Sequence, residues 1–285
     1  QMGRYEYSVQ AVPHDDEQDV DDNRSAALGV EVIDEKINIL LIGGSPTWEF
    51  QYLRNFLSRS SDLYRVSVWQ QNADEDVNQT ASTGMKLTHL PRSLPELIGV
   101  PGDDDRPGYE VVILIDPQPT DGGFDEEFAE LLYDYVVTHG GGLCYVAGPK
   151  YSDMTLINST SYKKLADLLP VTLASNTITD VARIRDAKPK AYPVQLTSYG
   201  REHPIMRLGA GREETEGAWA VMPGLYWLHP VYQIKPGARV LAEHSDLSRS
   251  TVRKAREPFI AIQSPGVGNA VYVGSNSTWR WRAVS

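Results

Sequence analysis

The sequence predicts an α/β fold, with a doubly wound, mostly parallel sheet over residues 36–285 and a short β segment over 1–35. Three observations carry that expectation. Two continuous apolar runs, "INILLIGG" (37–44) and "YEVVILIDP" (109–117), have the pattern of strands covered on both faces by helices. "DEEFAELLYDYVVTHGGG" (125–142) places Phe128, Leu131, Leu132, Tyr135 and Val136 at helical spacing, behind an acidic first turn and ahead of a glycine stop. Strand and helix signals alternate through the middle of the chain, the order that joins parallel strands by crossover helices.

Taken in order, "RYEYSVQAV" (4–12) alternates with period two, as a half-buried strand does, and "ALGVEVIDE" (27–35) offers a second strand after an acidic linker. Two strands joined by a polar loop are marginal alone. They read as the tail of a β-sandwich or as added edge strands, and the chain reads as cut from something larger. After "INILLIGG" comes "SPTWEFQYLRNFLSRSSD" (45–62), a helix with Ser45 as cap, Pro46 at its first position and Glu49 at its positive end. Trp48, Tyr52, Leu53, Phe56 and Leu57 form its expected core stripe. "YRVSVWQQ" is the next strand, "PRSLPELIG" a short helix or turn, "LCYVAG" the strand after the long helix, and "SYKKLADLLPV" another short helix. Past Pro170 the pattern becomes β-rich, with strands expected at "PVQLTSYG", "ARVLAEH", "FIAIQS" and "NAVYVGS".

Composition limits the function classes. The chain has 285 residues, 41% of them hydrophobic and 23% charged, values ordinary for a globular protein. A net charge of −11 argues against a nucleic-acid partner, which calls for a basic face. The acidic runs at 14–23 and 102–108 lack the alternating spacing of a calcium loop and read as solvated linkers. No apolar stretch is long enough to span a bilayer, so no direct membrane insertion by this segment is expected. A single cysteine rules out an internal disulfide and a cysteine-built zinc site.

Several residues invite a chemical reading. Gly43-Gly44-Ser45-Pro46 joins a strand to a helix, where backbone N–H groups can face an anion, but it matches neither Walker A nor G-x-G-x-x-G. Trp48 reads as a core or domain-interface aromatic. Cys144 is the one possible cysteine nucleophile. A nucleophile elbow has the form G-x-C-x-G; here Gly142 precedes Cys144 by two, but Val146 follows it by two and the turn waits until Gly148-Pro149. Cys144 therefore falls inside the strand, where apolar surroundings make a thiol inert. His203 and His229 each precede proline, His139 closes a helix, and His244-Ser245-Asp246 imitates a catalytic His-x-acid pair within a polar loop. Cys144, His203 and His244 are the weak catalytic candidates; no metal site is expected. Asp116, Asp121, Asp125 and Glu126 cluster near a strand end and read mainly as turn and helix-start residues.

"ILLIGGSPTWEFQYLRNFL", "YEVVILIDP", "YDYVVTHGGGLCYVAGP", "LADLLPV", "LTSYGREHPIMRL" and "VYVGSNSTWRWR" together resemble the glutamine amidotransferase-like domain of large bacterial membrane-anchored proteins that also carry a von Willebrand factor A domain. The resemblance runs from about Lys36 to the end, and the Trp-Glu and Trp-Arg-Trp-Arg elements are its more specific parts. It implies the flavodoxin-like fold of class I glutamine amidotransferases, related to the trehalose-utilisation and DJ-1-like groups. It also implies an extracytoplasmic location and, for residues 1–35, the last strands of a preceding β-sandwich. Enzymes of that class carry cysteine on the elbow and His-x-Glu after a late strand. In this chain Val146 and Asn276-Ser277-Thr278 stand at those places. The resemblance thus implies a non-catalytic binding or scaffolding module without a cofactor, whose partners are other domains of the parent protein and an unknown protein or small-molecule ligand. Gly44, Ser45, Trp48, Asp116, Gly148, Pro149 and Asn276 are the expected pocket-lining residues. The alternatives are a hydrolase or amidotransferase with a displaced nucleophile, or a carbohydrate or small-ligand binder suggested by the six tryptophans.

Overall fold

The computed structural model describes residues 3–12, 23–32, 36–73, 81–100, 108–121, 123–175, 190–246, 251 and 255–284. The acidic residues at 14–22 and 102–107 lie outside them. The chain divides into two compact units, Gln1–Lys36 and Ile37–Ser285. In the first, β1 (Gly3–Tyr7) pairs antiparallel with β2 (Leu28–Val32), Tyr5 opposite Val30. Polar ties continue the ribbon beyond the strands: the Val9 N–H donates to Ser25 Oγ at 2.9 Å.

The second unit is a mixed α/β structure around an eight-stranded sheet. Its strands are β3 (Ile37–Gly43), β4 (Tyr64–Gln70), β5 (Val111–Ile115), β6 (Gly142–Val146), β8 (Val194–Leu196), β10 (Arg239–His244), β11 (Pro258–Gln263) and β12 (Asn269–Val273). They lie in the order β4-β3-β5-β6-β12-β11-β10-β8. The first five are mutually parallel, with Leu41 opposite Ile113, Ile113 opposite Cys144 and Cys144 opposite Val271. The last three add antiparallel. β7 (Val171–Leu173) and β9 (Val231–Ile234) form a separate antiparallel pair.

Helices cover both faces. They are α1 (Trp48–Arg59), α2 (Leu94–Ile98), α3 (Glu126–Val137), α4 (Ser152–Leu156), α5 (Lys163–Leu168), α6 (Ser198–Glu202) and α7 (Arg212–Val221). The period-two alternation of each strand sorts its residues between two layers. Leu40, Ile42, Val112, Leu114, Leu143 and Tyr145 join α3 and α5 in one core. Ile39, Leu41, Val66, Val68, Ile115 and Val146 join Phe50 and Leu57 of α1 in the other. A third cluster under α7 gathers Met206, Trp219, Leu228, Leu241 and Phe259.

The first helix begins later than its sequence suggests. Thr47, not Ser45, is its cap, accepting from the Phe50 N–H at 3.2 Å, and Pro46 lies before it. Gly44 explains the delay. A Cβ there would stand 2.0 Å from the Asp116 carbonyl oxygen, so the chain must pass close over the end of β5 before it can coil. Its buried stripe is Phe50, Leu53 and Leu57. Trp48 and Phe56, expected inside, are 58% and 57% exposed.

Candidate functional site

In open α/β sheets, ligands bind outside the carboxyl ends of the strands, where successive connections leave in opposite directions. In this sheet β3 is such a point, with β4 on one side and β5 on the other. The loops after β3, β4, β5 and β6 meet there.

Asp116 organises the meeting. It directly follows β5 and is the one non-glycine among the described residues with a positive φ, 42°. Such a backbone is strained for a side-chain-bearing residue, although Asp tolerates it better than most. The surroundings hold it in place. The carboxylate accepts from the N–H groups of Lys150 (3.1 Å), Tyr151 (3.0 Å) and Ser152 (2.8 Å), and from Ser152 Oγ at 2.9 Å. Burial pushes the Asp116 carboxyl above the usual carboxylate range, and these hydrogen bonds oppose that shift. The turn after β6 is thus wrapped around one carboxylate, whose hydrogen-bonding capacity is taken up by protein. Gly148 lies against it, a Cβ there falling 2.3 Å from Asp116 Oδ2. Gly44, Asp116 and Gly148 are all buried, the two glycines each packing on Asp116, while Pro149 is half-buried in the turn.

Cys144 occupies the third position of β6 and packs half-buried on the α1 face, beside Ile113 and Val273. Burial first, then the Glu49 carboxylate, pushes its thiol up to about 12. A nearby carboxylate has the wrong sign for a cysteine nucleophile, which needs positive charge beside it. Val146 ends β6 and is buried. The two candidate histidines lie elsewhere in the fold. His244 ends β10, three strands from β6, which is about 14 Å at ordinary strand spacing. Its Nδ1 accepts from the Asp246 N–H at 3.0 Å, and its ring lies 4.9 Å from that of Tyr192. His203 caps the 3-10 turn Pro204–Met206 through the Ile205 N–H, beyond β8 at the far edge of the sheet. The structure brings neither histidine to Cys144.

A polar cluster absent from the sequence-based expectations sits over the same strand ends. Lys150 Nζ donates to Ser45 Oγ at 3.0 Å and stands 4.7 Å over the Tyr151 ring. Asn72, just past β4, donates to the Gly44 carbonyl and to Tyr151 Oη at 3.1 Å. Burial pushes the Tyr151 phenol up, but hydrogen bonds involving Lys150, Ser45 and Asn72, with the Lys150 charge, bring it below the ordinary tyrosine value. The tyrosine ring closes on Gly44, a Cβ there coming 2.9 Å from Tyr151 Cδ2. Only Ser45 was singled out from sequence. Asn72, Lys150 and Tyr151 lie on different loops, and no local motif joins them.

A second feature lies along α1. Trp48, Tyr52 and Trp279 stack with ring centroids about 6 Å apart. Glu49 accepts from the Trp279 N–H at 2.9 Å and from Thr278 Oγ1, so it caps the 3-10 segment Thr278–Val284. The tail folds back through this cap. Arg282 stacks on Tyr52 and Arg280 on Trp279, leaving a cleft of about 330 Å³ lined by Glu49, Tyr52, Phe56, Arg59 and Trp279. Asn276 is half-buried in the loop ahead of this segment.

His229 also went unrecognised as a site residue. It is fully buried, with Nε2 2.9 Å from Asp153 Oδ1 in α4 and Nδ1 3.1 Å from the Pro230 carbonyl. A separation of 76 residues hides that pairing from any local pattern. Among the described residues no group of three or more His, Cys, Asp and Glu side chains is placed to hold a metal ion. No helix among them is long and apolar enough to cross a membrane.

No protein-family model matches the chain, and no curated protein does. Among solved structures, it is similar to the cytoplasmic protein STM3548 from Salmonella typhimurium, at 14% identity over 83% of this chain and 87% of that one, with a TM-score of 0.49. It is also similar to the exo-beta-1,4-mannosidase Op5Man5 from Opitutaceae bacterium strain TAV5. There the identity is 10% over 86% of this chain and 32% of that one, with a TM-score of 0.41. Likenesses this distant carry no argument about activity.

Proposed function

We propose that residues 37–285 are a flavodoxin-like, class I glutamine amidotransferase-like domain that works without the amidotransferase nucleophile, as a binding or scaffolding module. By its resemblance we assign the domain to the extracytoplasmic part of a membrane-anchored bacterial protein. The order of the five parallel strands supports the fold: numbered by chain position they run 2-1-3-4-5, the flavodoxin order. One observation carries the functional reading. The turn after β6, where an elbow nucleophile would stand, begins at a buried valine and is clamped shut by the Asp116 carboxylate. The surface that remains, Ser45, Asn72 and Lys150 around the buried Tyr151, offers hydrogen-bond donors and one cation to a ligand or a neighbouring domain.

Alkylation of Cys144 in the native chain, read by intact mass, tests this reading. A thiol held near 12 has so little thiolate at pH 8 that labelling should run at least about 100-fold slower than in the urea-unfolded chain. Equal rates, or ammonia release from glutamine that alkylation abolishes, would replace the proposal with an enzyme carrying a displaced nucleophile. A second reading, a carbohydrate or small-ligand binder, is favoured by the exposed Trp48 ring, which packs on Trp279 of the α1 cleft wall. Quenching of tryptophan fluorescence by an oligosaccharide panel, lost in Trp48→Ala, would support it; no quenching by any member would sink it.

A further inference from the structure

The geometry points to a separate binding site for a small oxyanion, a phosphate group in particular, at the N-terminus of α7. This helix runs ten residues from Arg212 and starts at Gly211 without a side-chain cap. Its first internal bond runs from the Thr215 N–H to the Gly211 carbonyl at 3.1 Å. The N–H groups of Arg212, Glu213 and Glu214 therefore have no acceptor within the helix, and the aligned peptide dipoles add partial positive charge beside them. A cleft of about 230 Å³ opens here, with Arg201, His203, Arg207, Arg212 and Thr215 in its wall.

Acidic residues are also present, and their engagement decides the balance. Glu202 lines the same cleft, and Glu214 and Glu216 stand beside it on α7. Glu216 is shared by Arg201 at 3.5 Å and Arg212 at 3.0 Å, and Glu214 accepts from the Ala210 N–H at 2.8 Å. Arg207 is left exposed, with no ion pair among the described residues. His203 uses Nδ1 to accept from the Ile205 N–H at 3.3 Å, so its proton sits on Nε2 as a further donor.

Thr215 supplies the independent observation. It is 3% exposed, and its hydroxyl has no hydrogen-bond partner among the described residues. An unsatisfied buried hydroxyl is costly, and an acceptor brought by a ligand relieves it. Backbone N–H groups, a free guanidinium fork and a hydroxyl together make the donor set that a phosphate group takes. The space beside Gly211 is open, a Cβ there meeting nothing within 4 Å. The site lies past β8, at the opposite edge of the sheet from β4, and does not depend on the reading of the β3–β6 strand ends.

Calorimetric titration of the full chain with inorganic phosphate, at constant ionic strength and against a potassium chloride blank, tests the site. The expected dissociation constant is about 1 mM or tighter. Arg207→Gln and Thr215→Val, each checked for native circular dichroism, should weaken binding by about tenfold or more. Absence of binding to the unmodified chain overturns the proposal. So does undiminished binding in Arg207→Gln, and so does a loss in Arg207→Gln with Thr215→Val intact, which would mean unspecific attraction to surface charge.

Discussion

Asp116, Gly44 and Glu49 each settle more of this structure than their immediate neighbourhood suggests. Asp116→Ala removes the acceptor for three backbone N–H groups and a hydroxyl in the turn after β6. Each buried donor left unpaired costs free energy, so we expect a loss of about 3 kcal/mol or more in urea unfolding. Gly44→Ala forces a Cβ onto the Asp116 carbonyl oxygen, backbone that cannot rotate away, and should cost about 3 kcal/mol by the same measurement. Glu49 carries a pH signature. Burial raises its carboxyl above the usual range, against the hydrogen bonds from Thr278 and Trp279 that lower it. A carboxyl raised in the folded state favours folding most while protonated, and that advantage disappears as pH climbs through the folded value. The stability difference between wild type and Glu49→Gln should therefore move in favour of the variant between about pH 4 and about pH 8. An unchanged difference across that range would mean that Glu49 is not raised.

The elements were readable wherever one periodicity governed them. The runs at 37–44 and 109–117 announce β3 and β5 because strands covered on both faces need no polar side. α3 shows both its stop and its cap, with Asp125 accepting from the Phe128 N–H at 3.0 Å. α1 was legible as a helix but not in its start, because the contact that delays it comes from Asp116, more than seventy residues away. Thr47→Ala should cost about 1 kcal/mol, the usual value of a cap, whereas Ser45→Ala should leave helix stability unchanged. α7 and β9 went unrecognised. α7 opens on the polar run Arg212–Gly217 and β9 is only four residues long, and Trp219 is buried with distant partners such as Met206, Leu228 and Phe259. The terminal 3-10 segment is held in the same way. Trp281 meets Trp219 and Phe259 edge-on and donates Nε1–H to the Pro223 carbonyl at 2.8 Å. Trp281→Ala should lower stability by about 2 kcal/mol.

For the molecule as a whole, the unit Ile37–Ser285 contains two core layers on opposite faces of one sheet. Residues 37–285 expressed alone should unfold in a single cooperative transition by circular dichroism and fluorescence; separate transitions by the two probes would mean that the core layers do not unfold together. The sequence by itself determined the α/β class, the alternation of strand and helix through the first half, and the place of Cys144 within a strand. These are local matters, set by residue periodicity and by where glycine and proline permit a turn. Tertiary structure alone decided that the last three strands of the sheet add antiparallel and that Asp116 reaches across to hold the turn after β6. It also decided that Ser45, Asn72, Lys150 and Tyr151 meet. Each depends on which strands lie side by side, and that choice is made by burying whole faces against one another, a property no short window of sequence contains.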